Sequence, residues 1–162
     1  MKKISEEDID IAIGEIEANG ITEEMIEAFK SSQPIVFAYL FSDSFDLSTQ
    51  DEKEYLLYLV MVAWKAIFKV HPEMNEVEEE EIGESEEKNW ELINNVSATK
   101  FRDRLTILFE NSNQEDLLAF AEDMLTELEE EETTEKEIVT KEGRELLFVA
   151  YKSIIDAMEM AN

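Results

Sequence analysis

One long apolar segment dominates this sequence and limits the folds that the chain can adopt. The segment EYLLYLVMVAWKAIFKV spans residues 54–70, and its ten residues from Tyr55 to Trp64 are apolar without a break. It contains no Gly or Pro and is far longer than a strand, so we predict a helix of about twenty residues over 51–70. A helix that is apolar on nearly every side must be enclosed by other helices. The stripe expected to reach water comprises Glu54, Tyr58, Met61 or Val62, Lys65 and Lys69.

A membrane span is the alternative interpretation of such a segment. A span needs about twenty mostly apolar residues, whereas Lys65, Lys69 and His71 interrupt this one. We therefore expect no membrane contact. The first residues, MKKISEEDID, turn acidic where a signal peptide requires an apolar stretch, so we expect a cytoplasmic protein.

The charge of the chain narrows the classes of partner. There are 41 Asp and Glu against 14 Lys and Arg, a formal net charge of −27, yet 44% of the residues are apolar. This composition predicts a folded protein with an acidic surface rather than a disordered acidic tail. Such a surface repels nucleic acid and attracts basic protein surfaces. We therefore expect a protein partner, basic in character, and no direct binding of nucleic acid.

Capping patterns divide the chain into helices. Each pattern places Ser, Thr or Asn before an acidic first turn, which satisfies free backbone N–H groups and suits the helix dipole. We predict an all-α fold, a compact bundle of seven or eight helices packed around the central helix in one domain, 1–162. The expected caps are Ser5, Thr22, either Ser48 with Asp51 or Thr49 with Glu52, Asn113, and either Thr134 or Thr140.

The middle of the chain is harder to divide. We expect a loop from residue 73 to about Ile82, followed by a helix that turns Trp90 and Ile93 inward. The next helix is predicted over about 98–110, with a basic cluster of Lys100, Arg102 and Arg104 on its outer side. In so acidic a chain, we expect that cluster to face the chain's own bands of Glu.

An internal similarity suggests a duplication. Residues 146–155, LLFVAYKSII, align with 59–68, LVMVAWKAIF, so that Val-Ala-aromatic-Lys falls in register. An ancient duplication would give two pseudo-repeated helix pairs, about 33–70 and 114–160. Independent selection of similar residues in two buried helices is the alternative, and the sequence leaves both open.

The chain offers little for catalysis or for metal binding. It has no Cys, and its single histidine, His71, has no Glu three residues before it, as a carboxylate-bridged di-metal bundle requires. The triplet Glu23-Glu24-x-x-Glu27 matches half of a magnesium-binding pattern, but a chain with so many acids produces such triplets by chance. We expect no cofactor and no metal.

Two acidic bands are the most distinctive surface feature. Residues 73–91 and 127–137 together hold 17 of the 41 acidic residues. The best interpretation is a non-enzymatic protein-interaction or adaptor domain. Two alternatives stay open: an acidic decoy that imitates nucleic acid and occupies a basic protein, and an enzyme with a carboxylate–magnesium site that spacing does not reveal. The residues predicted to bind a partner are Glu78, Glu79, Glu80, Glu81, Glu129, Glu130, Glu131, Glu132 and Trp90, with Phe45 and Tyr58 as further aromatic anchors if exposed.

Overall fold

The computed structural model describes the backbone of residues 1–130 and 139–162 and the side chains of 1–127 and 139–162. Within these residues the chain forms eight α-helices and one 3₁₀ turn, Asp43–Phe45, without a strand. The predicted all-α bundle of seven or eight helices is therefore confirmed. The helices are α1 (Glu6–Asn19), α2 (Glu23–Ser32), α3 (Pro34–Leu40), α4 (Gln50–Val70), α5 (Glu79–Asn94), α6 (Phe101–Glu110), α7 (Glu115–Glu130) and α8 (Lys141–Ala161).

Hydroxyl caps start several helices where the sequence predicts them. The Ser5 hydroxyl accepts the backbone N–H of Asp8 at the start of α1, and Thr22 caps α2 in the same way. At α4 the cap is Thr49 rather than Ser48, since its hydroxyl accepts the N–H of Glu52 at 3.1 Å. Oε1 of Glu52 accepts the N–H of Thr49 in return, at 3.0 Å, and completes a capping box.

The carboxylate of Glu52 also reaches the start of α8. Its second oxygen, Oε2, accepts the backbone N–H of Thr140 at 3.3 Å and the Thr140 hydroxyl at 3.2 Å. Thr140 is the N-cap of α8, and its hydroxyl accepts the N–H of Gly143 at 2.9 Å. One buried carboxylate therefore joins the first turns of two helices that are distant in sequence.

Two helices share the centre of the bundle. In α4 the six residues 59–64 are all buried, as predicted for the central helix. In α8 the run is longer, because all nine residues 147–155 are buried. Helix α8 packs against α4, α5 and α7, while α4 also contacts α1 and α3. The sequence predicts one central helix, and the structure places α8 beside it in that role.

The expected water-facing stripe of α4 is wrong at its middle. Met61 and Val62 are fully buried. Lys65 is partly exposed and Lys69 is exposed, as predicted, but Phe68 is exposed beside them. Helix α1 packs against α4, so part of the expected stripe is enclosed between helices.

The segment between α4 and α5 is held by a buried amide. Gln33 is fully buried, its Nε2 donates to the carbonyl of Asn75 at 2.9 Å, and its Oε1 accepts the N–H of Val77 at 2.9 Å. Helix α5 then begins at Glu79, three residues before the predicted end of the loop at Ile82. The start lies earlier because the carboxylate of Glu81 accepts the N–H of Glu78 and caps the first turn.

Helix α6 begins later than predicted, at Phe101 instead of Ala98. The reason is Arg104, whose guanidinium donates to the carbonyls of Ala98 at 2.8 Å and Val96 at 3.2 Å. Those carbonyls are thereby bound outside a helix. Helix α7 starts at Glu115, immediately after Gln114 and not directly after the predicted cap Asn113.

Corresponding residues of α4 and α8 have the same burial at one position and different burial at another. Ala63 and Ala150, which correspond in the alignment, are both buried. Lys65 and Lys152 also correspond, but Lys65 reaches the surface whereas Lys152 is fully enclosed. The duplication stays a prediction.

Among the described helices, none is long and apolar enough to cross a membrane.

Candidate functional site

An apolar groove with a cavity volume of about 530 Å³ lies between α3 and α5. We call it the α3–α5 groove. Its floor and walls are apolar or small residues, and carboxylates stand along one side. The groove is lined by Ile35, Ala38, Tyr39, Ser42, Ser44, Glu79, Ile82, Gly83, Glu86, Glu87 and Trp90.

Helical spacing explains the α5 side of the groove. Residues at intervals of three and four share one helix face, so Glu79, Gly83, Glu86 and Trp90 line the same wall over about 16 Å. Gly83 leaves this wall open, since no atom lies within 4 Å of the position that a Cβ would take. Trp90 is half-buried and closes one end. A side chain from another molecule could therefore enter beside Gly83.

Helix α3 supplies the opposite wall and one buried phenol. The Tyr39 hydroxyl donates to Oε2 of Glu86 at 2.6 Å, which joins the two walls. Burial, together with this carboxylate, raises the pKa of Tyr39 well above its ordinary value. The phenol therefore stays protonated and keeps Glu86 directed into the groove.

The charge at the groove has one sign. Glu79, Glu86 and Glu87 form what we call the carboxylate rim, and none of the described lining residues is Lys or Arg. Acidic side chains beside an apolar floor favour a ligand with apolar and cationic groups side by side.

The predicted partner-binding residues are divided by the structure. Glu79 and Trp90 line the groove together, whereas Glu78, Glu80 and Glu81 lie at the first turn of α5 outside it. Glu129 and Glu130 end α7, and their side chains lie outside the described residues, as do Glu131 and Glu132. Of the further aromatic candidates, Phe45 is buried and Tyr58 is half-buried.

Sequence reasoning missed the α3 side of the site. Ile35 is half-buried in the groove wall, and Ala38 is exposed. The missed signal is that α3 has only seven residues, PIVFAYL, almost all apolar. So short a helix cannot bury every face, and one of its faces is left to the groove.

A polar cluster lies at the interface of α5 and α8. Its central group is the fully buried Lys152, whose ammonium donates to Oδ2 of Asp156 at 2.6 Å, Oδ1 of Asn89 at 3.0 Å and the carbonyl of Asn111 at 3.2 Å. Burial lowers the pKa of Lys152, and the charge of Asp156 opposes that shift. All three N–H groups of the ammonium have acceptors, so Lys152 is a structural group of the α5–α8 interface and not a free amine.

The basic cluster also has structural partners. Arg102 pairs with Glu122 and Asp123 on α7, and Arg104 donates to Oε1 of Glu145 on α8 at 2.6 Å. These acids belong to the same chain but lie outside the two acidic bands, so the prediction that the cluster faces the Glu bands is wrong for both arginines. Within residues 1–127 and 139–162, no group of three or more His, Asp or Glu side chains is placed to hold a metal ion.

Comparison of the chain with protein-family models, with curated proteins and with solved structures finds no match. The fold and the groove therefore define the class by themselves: an all-helical protein with an apolar groove bordered by carboxylates.

Proposed function

We propose that this chain is a protein-interaction domain that binds a basic, amphipathic helical segment of a partner in the α3–α5 groove. The observation that carries the proposal is the pairing of an apolar floor with a rim of one charge sign. Helix-in-groove recognition uses this combination, with apolar anchors in the groove and charges at its edge. We further propose a cytoplasmic setting, in keeping with a chain that has no Cys and depends on no disulfide.

The dimensions of the groove suit such a ligand. The α5 wall runs from Glu79 to Trp90, which corresponds to about three helical turns. A partner helix of similar length would place apolar residues at intervals of three and four against Ile82, Gly83 and Trp90. Its Lys or Arg side chains would then meet the carboxylate rim.

The charge of the molecule should affect the rate at which a basic ligand associates with the groove. A net charge of −27 attracts a basic segment from a distance, and the carboxylate rim fixes its orientation at close range. Buried apolar anchors would govern how long the complex lasts. Association should therefore slow with added salt, because the ions screen the attraction.

The first test uses a synthetic helix of about 14 residues, roughly 20 Å long, with Leu on one side and Lys on the other. Its binding is measured by fluorescence anisotropy of a dye on the peptide. Replacing the rim as Glu79→Gln, Glu86→Gln and Glu87→Gln should slow association about tenfold. Glu86→Gln retains an oxygen acceptor for Tyr39, so the groove wall is kept.

The matched control removes three charges from the same helix. Glu80, Glu84 and Glu91 are exposed on α5 but do not line the groove. Their replacement with Gln should change the association rate far less than the rim variant does. Equal slowing by both triple variants would mean that the peptide follows net charge alone, and it would contradict a specific groove.

The apolar part is tested at Gly83. Leu at this position meets no neighbouring atom at its Cβ and fills the opening in the wall. We expect Gly83→Leu to fold normally and to raise the dissociation rate of the peptide by about tenfold or more. Unchanged dissociation, together with displacement of the peptide by double-stranded DNA, would support the decoy alternative instead.

A further inference from the structure

A second surface, formed by α1, α2 and α4, exposes apolar side chains away from the α3–α5 groove. Ile11 is 37% exposed and Phe68 is 39% exposed, and both lie in one concave region with the half-buried Met25. Large apolar residues exposed together on a folded protein indicate a contact surface. We call this region the α1–α4 patch.

Phe68 is supported rigidly from below. Its ring stacks on Trp64, with the centroids 5.4 Å apart and the planes 29° apart. Trp64 is itself buried, lies 5.3 Å from the ring of Phe29 and donates its indole N–H to the Ser32 hydroxyl at 3.4 Å. The exposed ring therefore loses little conformational freedom when another surface covers it.

The charges of the patch differ from those of the molecule. Glu15 and Glu24 line it together with Lys65 and Lys69, so two acids are balanced by two bases. Lys65 is 2.5 Å from Oε2 of Glu15. The chain as a whole carries −27, and the rim of the α3–α5 groove is acidic throughout. The patch is thus a neutral area on a strongly acidic protein.

We propose that the α1–α4 patch is the interface of a homodimer. Two copies of a chain with a charge of −27 repel each other wherever their acidic surfaces meet, and a neutral apolar area gives them a surface for contact. In a two-fold contact the same area faces itself, so the carboxylates of one copy can meet the lysines of the other. A basic partner would instead favour the acidic groove, and a purely acidic one would find only two lysines here.

The dimer should respond to salt in the opposite sense from the groove. Long-range repulsion between the two copies is screened over about 8–10 Å at physiological ionic strength, whereas the apolar contact is unaffected by that screening. Dimerisation should therefore strengthen as salt rises, while binding of a basic helix weakens. The two surfaces share no lining residue, so either proposal can fail without the other.

The experiment is sedimentation equilibrium of the full chain across a range of salt concentrations. The wild-type chain should approach twice its mass of 18.8 kDa, at lower protein concentration when salt is added. Phe68→Glu should raise the dissociation constant of the dimer by about tenfold or more, since it places a charge at the centre of the contact. Leu47→Glu is the control, because Leu47 is fully exposed elsewhere and its replacement should leave the dimer intact.

A second measurement covers the case in which Phe68→Glu disturbs folding. The chain has no Cys, so Ile11→Cys introduces a single thiol into the patch. Under mild oxidation, Ile11→Cys should form a cross-linked dimer faster than Leu47→Cys does. A wild-type chain that stays monomeric at every salt concentration would overturn the proposal, as would a dimer that Phe68→Glu leaves unchanged or thiols that cross-link at equal rates.

Discussion

Lys152 is the residue whose environment differs most from that expected of its type. Its side chain is fully buried, although lysine is almost never found so. The three acceptors around the ammonium belong to α5, to the turn after α6 and to α8 itself. Burial lowers the pKa of Lys152, so the unfolded chain binds the proton of this side chain more tightly than the folded chain does. The contribution of Lys152 to the free energy of unfolding therefore rises as the pH increases through the folded-state pKa.

Lys152→Met should destabilise the protein by about 3 kcal/mol, the low end for a broken buried ion pair, because Asp156 would lose its cation. The carboxylate of Asp156 is 18% exposed, so water can replace part of the lost interaction. Lys152→Met combined with Asp156→Leu should cost less than the single change, since no charge is then left unpaired. Urea denaturation at neutral pH measures both, and a double variant less stable than the single one would contradict this account.

At the scale of single residues, the local sequence does not predict the surroundings of a side chain. Lys65 and Lys152 occupy matching positions in similar segments, yet only Lys65 reaches the surface. The difference comes from Asn89 and Asn111, which are supplied by other parts of the chain. In the candidate site, Trp90 and Glu79 could be predicted from local composition, but Tyr39 could not, because its role depends on Glu86 across the groove.

At the scale of the helices, the local sequence predicts the first residue of a helix better than it predicts how deeply the helix is buried. Thr49 and Glu52 form their capping box within four residues, and Ser5 and Asp8 do the same. The start of α6 was missed because the carbonyls before it are held by Arg104, a contact that capping patterns do not include. The sequence analysis also missed that α8 shares the centre of the bundle with α4. The polar residues of α8 are typical of a helix that is partly exposed, although most of this helix is buried.

The contact between α4 and α8 depends on the absence of a side chain at Gly143. A Cβ at this position would overlap Oε2 of Glu52 and lie 2.8 Å from the Thr140 hydroxyl. Gly143→Ala should therefore destabilise the protein by about 1–3 kcal/mol, despite the better helix propensity of Ala. Gly14→Ala, where a Cβ meets nothing within 4 Å, is the control and should stabilise it by about 0.5–1 kcal/mol. Thermal denaturation compares them, and equal effects would show that Glu52 moves aside without cost.

The whole molecule carries a charge that its ion pairs leave largely uncompensated. The cations described in pairs, such as Lys3, Lys65, Arg102 and Arg104, face single or paired acids, while 41 acidic residues stand against 14 basic ones. Self-repulsion of this kind opposes the compact state. Two copies of the chain repel each other in the same way, so a neutral area is the more favourable place for them to make contact.

The melting temperature should rise as salt is added from low to moderate concentration, because screening relieves this repulsion. A gain of about 1 kcal/mol corresponds to roughly 2–4 °C for a chain of this size. Mild acid that begins to neutralise Glu should act in the same direction. The Phe68→Glu variant separates this effect from dimerisation, since it should show the same rise while monomeric. A flat melting temperature in scanning calorimetry would mean that the acids lie too far apart to interact.

The positions of the two tryptophans make the two proposed surfaces optically distinguishable. Trp90 lines the α3–α5 groove, whereas Trp64 lies directly beneath Phe68 in the α1–α4 patch. The chain has no other tryptophan. Indole emission moves to shorter wavelength as water leaves its surroundings, so occupation of the groove should shift the emission of Trp90. Self-association would cover Trp64 instead, which is already buried beneath Phe68, so it should leave the emission wavelength nearly unchanged.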